Sequence, residues 1–336
     1  MEPAPPSTYL AGWRRPWRRA PPEVTSWVET QLGGPVVTAD DRIGGMSTGI
    51  ASVVGDGNGR KLFVKAVNAT ENPGAAQLMA DEIAAMARLP ALPHVPTICG
   101  AVELGSAADR WRVITTPAVD GRPVRHPWRP DALQRVLPAW DEVAVDLAGV
   151  AWPTQARLAP FFGAWTKIAT DGDDPWRDLA TAWPEREDRV VALTAGTDDD
   201  PPVLSHLDLR ADNILVAGGA ATGPDGVWFV DWAHPGLAAR WVDVALLLAD
   251  VVGSGAEVTG GGPIDVVDVW RRHPVCGCYD PELVITTISG LAAALHLIGR
   301  APPDEKLPHR QAWAAALADQ LTPFVRRYSW GARRVR

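Results

Sequence analysis

Lysine is scarce in this chain. Lys61, Lys65, Lys167 and Lys306 are the only four among 32 lysines and arginines, so a lysine inside an apolar strand calls for a reason. Cysteine is scarcer. Cys99, Cys276 and Cys278 are three in number, an odd count without a disulfide framework, and a reducing cytoplasm is the expected compartment. The segment His273-Pro274-Val275-Cys276-Gly277-Cys278 offers three candidate ligands and no second pair at finger spacing, which weighs against structural zinc. No apolar run is expected to reach the eighteen or so residues of a membrane helix, and no membrane partner is expected. The basic stretch from Trp13 to Arg19 is not followed by a signal core. Positive charge in excess is missing too. A formal net charge of −8 disfavours nucleic-acid binding and is compatible with a cationic substrate or peptide. No internal repeat, G-x-S-x-G elbow or H-E-x-x-H helix occurs.

What is present is enough chain for a large core. The 336 residues are 46% hydrophobic and 21% charged, ordinary for a globular protein of one large domain or two lobes with a cleft. Residues 1–22 form a Pro/Arg/Trp-rich leader, expected to pack loosely on the body, and Pro16 and Pro21-Pro22 would interrupt an amphipathic, membrane-surface helix there. Helical spacing follows at 23–32, then β-like runs at 36–43, 50–54 and 62–67, separated by glycine-rich turns. A helix is expected at 75–89 with Leu78, Ile83, Met86 and Leu89 buried, and strands at 102–104 and 112–116. From about 131 the pattern turns helical: 131–147, 158–169 and 178–193, with Pro138 and Pro184 expected to kink or split the first and third. Short strands at 214–217 and 227–230 precede helices at 241–252, 264–273, 281–298 and 310–328. The expected architecture is α+β and bilobal: a β-rich lobe at 23–117 and a larger helical lobe at 118–336.

The chemistry gathers at His206-Leu207-Asp208-Leu209-Arg210-Ala211-Asp212-Asn213, an H-x-D-x-x-x-x-N string followed by Val230-Asp231-Trp232. This order suits phosphoryl transfer from a nucleotide. Asp208 orients an acceptor hydroxyl, and Asn213 and Asp231 supply oxygens to a hard ion such as magnesium. Upstream, Gly44-Gly45-Met46-Ser47-Thr48-Gly49 lies between two strands, where glycines let backbone N–H groups approach phosphates and Ser47 could add a hydroxyl. Lys65, flanked by apolar residues, is placed to meet the phosphates. Its partner is Glu82, which shares a helical face with Leu78 and Met86, or alternatively Asp81. His206 reads as a structural brace and Asp212 as a loop-capping carboxylate. Arg210 either neutralises the phosphoryl group or pairs with a loop carboxylate. Asp243 reads as an anchor for the loop. Beyond the last strand of the first lobe, the Thr116 carbonyl and Ala118 N–H are expected to face the base, since Pro117 has no N–H.

On these residues the chain resembles the aminoglycoside phosphotransferase-like (phosphotransferase enzyme) family, of protein-kinase-like fold, in its actinobacterial form. The strings that carry the likeness are Gly44 to Gly49, His206 to Asn213 and Val230-Asp231-Trp232, and it extends over roughly 23–328. The resemblance implies ATP or GTP as donor, Mg2+, and O-phosphorylation of a hydroxyl. Trp232-Ala233 after Asp231, and the lack of an Ala-Pro-Glu segment, speak against a mobile activation segment and against large folded protein substrates. The leading expectation is a phosphotransferase acting on a small natural product, in antibiotic resistance or biosynthesis. A kinase for Ser or Thr of a precursor peptide is the alternative, and a non-catalytic nucleotide-binding scaffold a third. The acceptor is expected beside Asp208, with Trp232 as an apolar wall and Asp173, Asp174 and Asp280 as contacts for a cation.

Overall fold

The computed structural model describes residues 14–42, 49–156, 158, 162–218, 225–302 and 310–329. Gly44, Gly45 and Ser47 lie outside the described residues. The first helix, α1 (Pro22–Leu32), opens with proline in its first turn, where a missing N–H costs nothing, and closes at Gly33 with φ 84°. Five antiparallel strands follow: β1 (Thr38–Asp41), β2 (Ile50–Gly55), β3 (Lys61–Asn68), β4 (Gly100–Gly105) and β5 (Arg110–Pro117), in the order β1-β2-β3-β5-β4. α2 (Pro73–Met86) connects β3 to β4.

Period-two alternation gives this sheet two chemically different faces. Leu62, Val64, Ala66, Trp111 and Val113 pack under Val24, Val28 and Leu32 of α1. On the other face the register sets Phe63 opposite Thr116 and Lys65 opposite Ile114. That second face is the one turned to the cleft.

The remainder is mostly helical and encloses the largest core. In chain order come β6 (Arg122–Pro123), α3 (Pro130–Leu147), α4 (Ala164–Thr170), α5 (Trp183–Thr194), β7 (Val203–Ser205), β8 (Ile214–Val216), β9 (Val227–Phe229) and β10 (Gly236–Ala238). α6 (Val242–Gly253), α7 (Val266–Arg272), α8 (Glu282–Arg300) and α9 (Arg310–Ser329) complete it. β6, β8 and β9 form one small sheet, and β7 pairs with β10. Trp128, Trp140, Trp165, Trp183, Trp232, Trp241 and Trp270 supply much of the core volume.

Several elements differ from expectation. α2 ends at Met86, and it buries Ala76, Met79, Glu82 and Ala85, while Leu78 is 44% exposed. The buried face is set by Val67 and Ile114 of the sheet, against which Ala76 and Met79 pack. Glu82 thus lies inward beside Met79 and Ala85, not on the face of Leu78. The helix expected from 158 begins only at Ala164, after Gly163 at φ 85°. α3 runs unbroken through Pro138, whereas the segment around Pro184 does split, into a 3-10 turn (Arg177–Ala182) and α5. The described part of the leader is not loosely packed. Trp17 is buried in the core under the sheet, and its N–H donates to Asp41 Oδ1 at 2.8 Å. Finally, α8 is long and apolar enough by composition to cross a membrane, contrary to expectation, but most of it is buried among the other helices.

Candidate active site

Lys65 occupies the cleft face of β3 by strand alternation alone. Its Nζ lies 2.8 Å and 3.0 Å from the two Glu82 carboxylate oxygens and 3.0 Å from Asp231 Oδ1. Asp81, the alternative partner, instead accepts from Gln77 Nε2 at 2.9 Å within its own helix. One ammonium therefore ties the sheet, α2 and the segment after β9 together. Burial works to lower the Lys65 pKa, but Asp231 and Glu82 outweigh it and hold the ammonium charged. Burial likewise works to raise Asp231, and Lys65 reverses it, leaving the carboxyl at about 2. Burial lifts Glu82 above the usual carboxylate range against the pull of Lys65. Phe63, Met86, Ile114, Thr116 and Phe229 wall the pocket into which these charges face.

The loop after β7 is held by its backbone. Asp243, in the first turn of α6, accepts the His206 N–H at 2.8 Å and the Leu207 N–H at 2.7 Å. Leu207 takes φ 64° and Asp231 φ 69°, left-handed conformations that cost free energy in residues other than glycine and persist only where surroundings enforce them. His206 is wholly buried. Its Nδ1 accepts the Asp208 N–H at 3.3 Å while Nε2 faces the Val230 carbonyl at 3.0 Å, so the ring proton belongs on Nε2. Burial pushes its pKa down, and the imidazole is a neutral brace between the loop and the strand that delivers Asp231. Burial raises Asp243 to about 6, with the two backbone donors opposing.

Asp208 and Asn213 meet as the spacing predicts. The Asn213 Nδ2 donates to the Asp208 carbonyl and to its Oδ2, both at 2.9 Å. That leaves Asn213 Oδ1 as an acceptor for a cation. Arg210 Nε lies 2.9 Å from Asp212 Oδ1 and 3.5 Å from Asp208 Oδ1, so of its two expected roles the structure displays the pairing with loop carboxylates. Asp212 is not a surface group: burial pushes it up to about 6, with Arg210 opposing.

One residue of this frame went unpredicted. Asp250 Oδ2 accepts the Ala211 N–H at 2.9 Å and the Trp128 Nε1–H at 2.8 Å, and lies 3.2 Å from His126 Nε2. The signal was present, since Asp243 and Asp250 are two helical turns apart on one face of an otherwise apolar helix.

Other expectations are corrected. The Ala118 N–H donates to the Lys61 carbonyl at 3.4 Å. Strand alternation turns it toward β3 and away from the cleft, and gives the Thr116 carbonyl, two residues earlier, the same direction, although Thr116 is among the residues that line the pocket. Gly49 has a packing reason, because a Cβ there would come within 2.5 Å of the Ala66 carbonyl oxygen. Trp232 is 0% exposed and its ring packs in the core, 4.6 Å from the His206 ring, so it is a core residue at the edge of the pocket, not an exposed wall. The Asp174 side chain is 0% exposed and accepts from His296 Nε2 at 3.0 Å and the Trp176 N–H at 2.8 Å, which bars it from a diffusing cation. Asp173 and Asp280 are exposed. The Asp280 side chain accepts the Glu282 N–H at 2.9 Å just before α8, and the Asp173 N–H donates to Asp171 at 3.1 Å.

Comparison with known proteins agrees with this fold. Among solved structures, the GDP complex of aminoglycoside 2'-phosphotransferase-IIIa is similar at 14% identity and TM-score 0.58, covering 91% of this chain and 98% of that one. A microcompartment-associated aminopropanol kinase is similar at 16% identity and TM-score 0.52, covering 90% and 98%. The macrolide 2'-phosphotransferase MphH of Brachybacterium faecium is similar at 17% identity and TM-score 0.52, covering 88% and 98%. These likenesses show the fold. No curated protein matches. Residues 51–262, more than half of the chain and including Lys65, Glu82, Asp208, Asn213 and Asp231, match the family described as the phosphotransferase enzyme family. The chain belongs to that family and is a phosphotransferase.

Proposed function

We propose that this enzyme transfers the terminal phosphoryl group of ATP or GTP to a hydroxyl of a small natural product. The observation that carries the reading is the arrangement of Asp208 and Lys65. One is fixed on the braced loop through Asn213, the other bridges Glu82 and Asp231 beside it. In this reading residues 23–117 form the nucleotide-binding lobe, with the pocket beside Phe63, Ile114 and Thr116 receiving the base. Residues 118–336 form the catalytic lobe. Lys65, together with the glycine turn, holds the phosphates. Asp208 accepts a hydrogen bond from the acceptor hydroxyl and aims its oxygen at the terminal phosphorus. As the new P–O bond forms and the bond to the bridging oxygen breaks, the hydroxyl proton passes to Asp208 and then to solvent.

Asn213 Oδ1 and the Asp231 carboxylate fit magnesium, which takes few protein oxygens and keeps water and phosphate as its other ligands. Among the described residues there is no cluster of three or more His, Cys, Asp or Glu side chains to suit a metal caged by protein alone. Bound there, magnesium would neutralise phosphate charge. The small acceptor is supported by the similar solved structures, which are named as aminoglycoside, macrolide and aminopropanol kinases. The test is a mass-shift screen of hydroxylated natural products and short Ser/Thr peptides incubated with enzyme, nucleotide and magnesium. A gain of one phosphoryl group on a small molecule, absent with Asp208→Asn, supports the reading. Phosphorylation of peptides alone would overturn the acceptor class.

A further inference from the structure

The leader is pinned across the end of the glycine turn. The Arg15 N–H donates to the Gly49 carbonyl at 3.2 Å, and Trp17 is buried under the sheet with its N–H on Asp41. Pro16 restricts Arg15 to an extended backbone, and in extended chain successive side chains leave on opposite sides. Arg15 goes to the outer side: its Nη2 meets Glu71 at 2.9 Å and its guanidinium lies 4.9 Å from the Trp111 ring centroid, on the face under α1. Arg14 is therefore directed the other way, toward the cleft. It is half-buried. Burial lowers its pKa, and the three carboxylates that oppose this are Asp231, Asp212 and Glu82, all of the site described above.

We propose that Arg14 is a phosphate-binding residue of the nucleotide site, delivered by the leader to a cleft otherwise built from the sheet and the catalytic loop. This rests on the reading of the cleft as the nucleotide site. The chemistry calls for such a group. Lys65 is already shared by Glu82 and Asp231, and Arg210 by Asp212 and Asp208, while a nucleoside triphosphate brings further negative charge. A guanidinium offers a planar fork of donors matched to phosphate oxygens and stays charged when partly buried. Before nucleotide binds, the same group lowers the repulsion among the site's carboxylates.

The test is calorimetric titration of wild type, Arg14→Ala, Arg14→Gln, Arg14→Lys and Lys65→Ala with magnesium ATP and magnesium GTP. Adenosine and guanosine serve as phosphate-free controls. Arg14→Ala and Arg14→Gln should weaken triphosphate binding on the order of tenfold or more, Arg14→Lys should recover part of it, and nucleoside affinity should not change. Equal loss for nucleoside and triphosphate would show a merely structural role. Tighter triphosphate binding would show a group that blocks the site, and either result overturns the proposal. Wild-type affinity in both Arg14 variants alongside weak binding in Lys65→Ala would refute Arg14 alone. Wild-type affinity in Lys65→Ala would remove the nucleotide-site reading itself.

Discussion

Asp243 is the single buried carboxylate that holds the backbone of His206 and Leu207 in the loop after β7. In Asp243→Ala the His206 and Leu207 N–H groups, now bonded at 2.8 Å and 2.7 Å, lose their acceptor. Two buried donors left unsatisfied cost ~1–3 kcal/mol each. Against this, burial raises the carboxyl from 3.8 in the unfolded chain to about 6 in the folded one. Keeping it ionised at neutral pH therefore costs the folded state, at about 1.4 kcal/mol per pH unit between the two values, roughly 3 kcal/mol. The two effects partly cancel at pH 7.5, and the variant should be destabilised there by at most about 3 kcal/mol. Because the folded pKa is the higher one, the folded chain binds the extra proton between pH 4 and 6. Stability from this group is complete below pH 4 and is lost as the pH rises through 6. About half of it, roughly 1.4 kcal/mol, has returned by pH 5. Only the wild type can recover it. Urea unfolding of both proteins at pH 7.5 and pH 5 should show the gap between them widening by that amount at the lower pH. A gap that stays constant or narrows would refute both the burial and the anchoring role.

Asp250→Ala removes the acceptor shared by the Ala211 N–H and the Trp128 indole and should cost ~2–5 kcal/mol. A melting temperature within a degree of wild type would contradict this. Asp231→Ala removes an anionic oxygen from the expected magnesium site and strips Lys65 of one of its two partners. Nucleotide titrations with and without magnesium should show the metal enhancement lost in the variant, and an enhancement equal to that of wild type would rule out the ligand role.

Legibility in the sequence followed the range over which each feature is encoded. His206, Asp208 and Asn213 lie within eight consecutive residues, and local backbone geometry is enough to bring Asp208 and Asn213 together. Lys65 could be read because strand alternation and a scarcity of lysine single it out, and Glu82 because it faces inward from the next helix. Leu78 misled, because four-residue spacing specifies a face only to within one neighbouring row, and the sheet residues Val67 and Ile114 chose the row. Ala118 misled because which backbone groups face the cleft depends on which pairs of β3 and β5 are hydrogen-bonded, a matter of register. Asp174, in an acidic loop, and Trp232, directly after Asp231, looked like site residues but were claimed by the core, a choice made by packing among segments distant in sequence. β6, β7 and β10, of two or three residues each, are too short to carry periodicity. Arg14 had no local signal at all, since its place depends on Trp17 and Arg15 fastening the leader to the sheet.

In the proposed reaction Asp208 positions the acceptor, within a cleft whose nucleotide contacts lie elsewhere. The most direct test of this role is Asp208→Asn measured twice: nucleotide affinity by titration with magnesium present, and phosphoryl transfer to an acceptor identified by mass shift. Nucleotide affinity should stay within a few-fold of wild type while turnover falls by several orders of magnitude. Near-wild-type turnover in this variant would contradict that role.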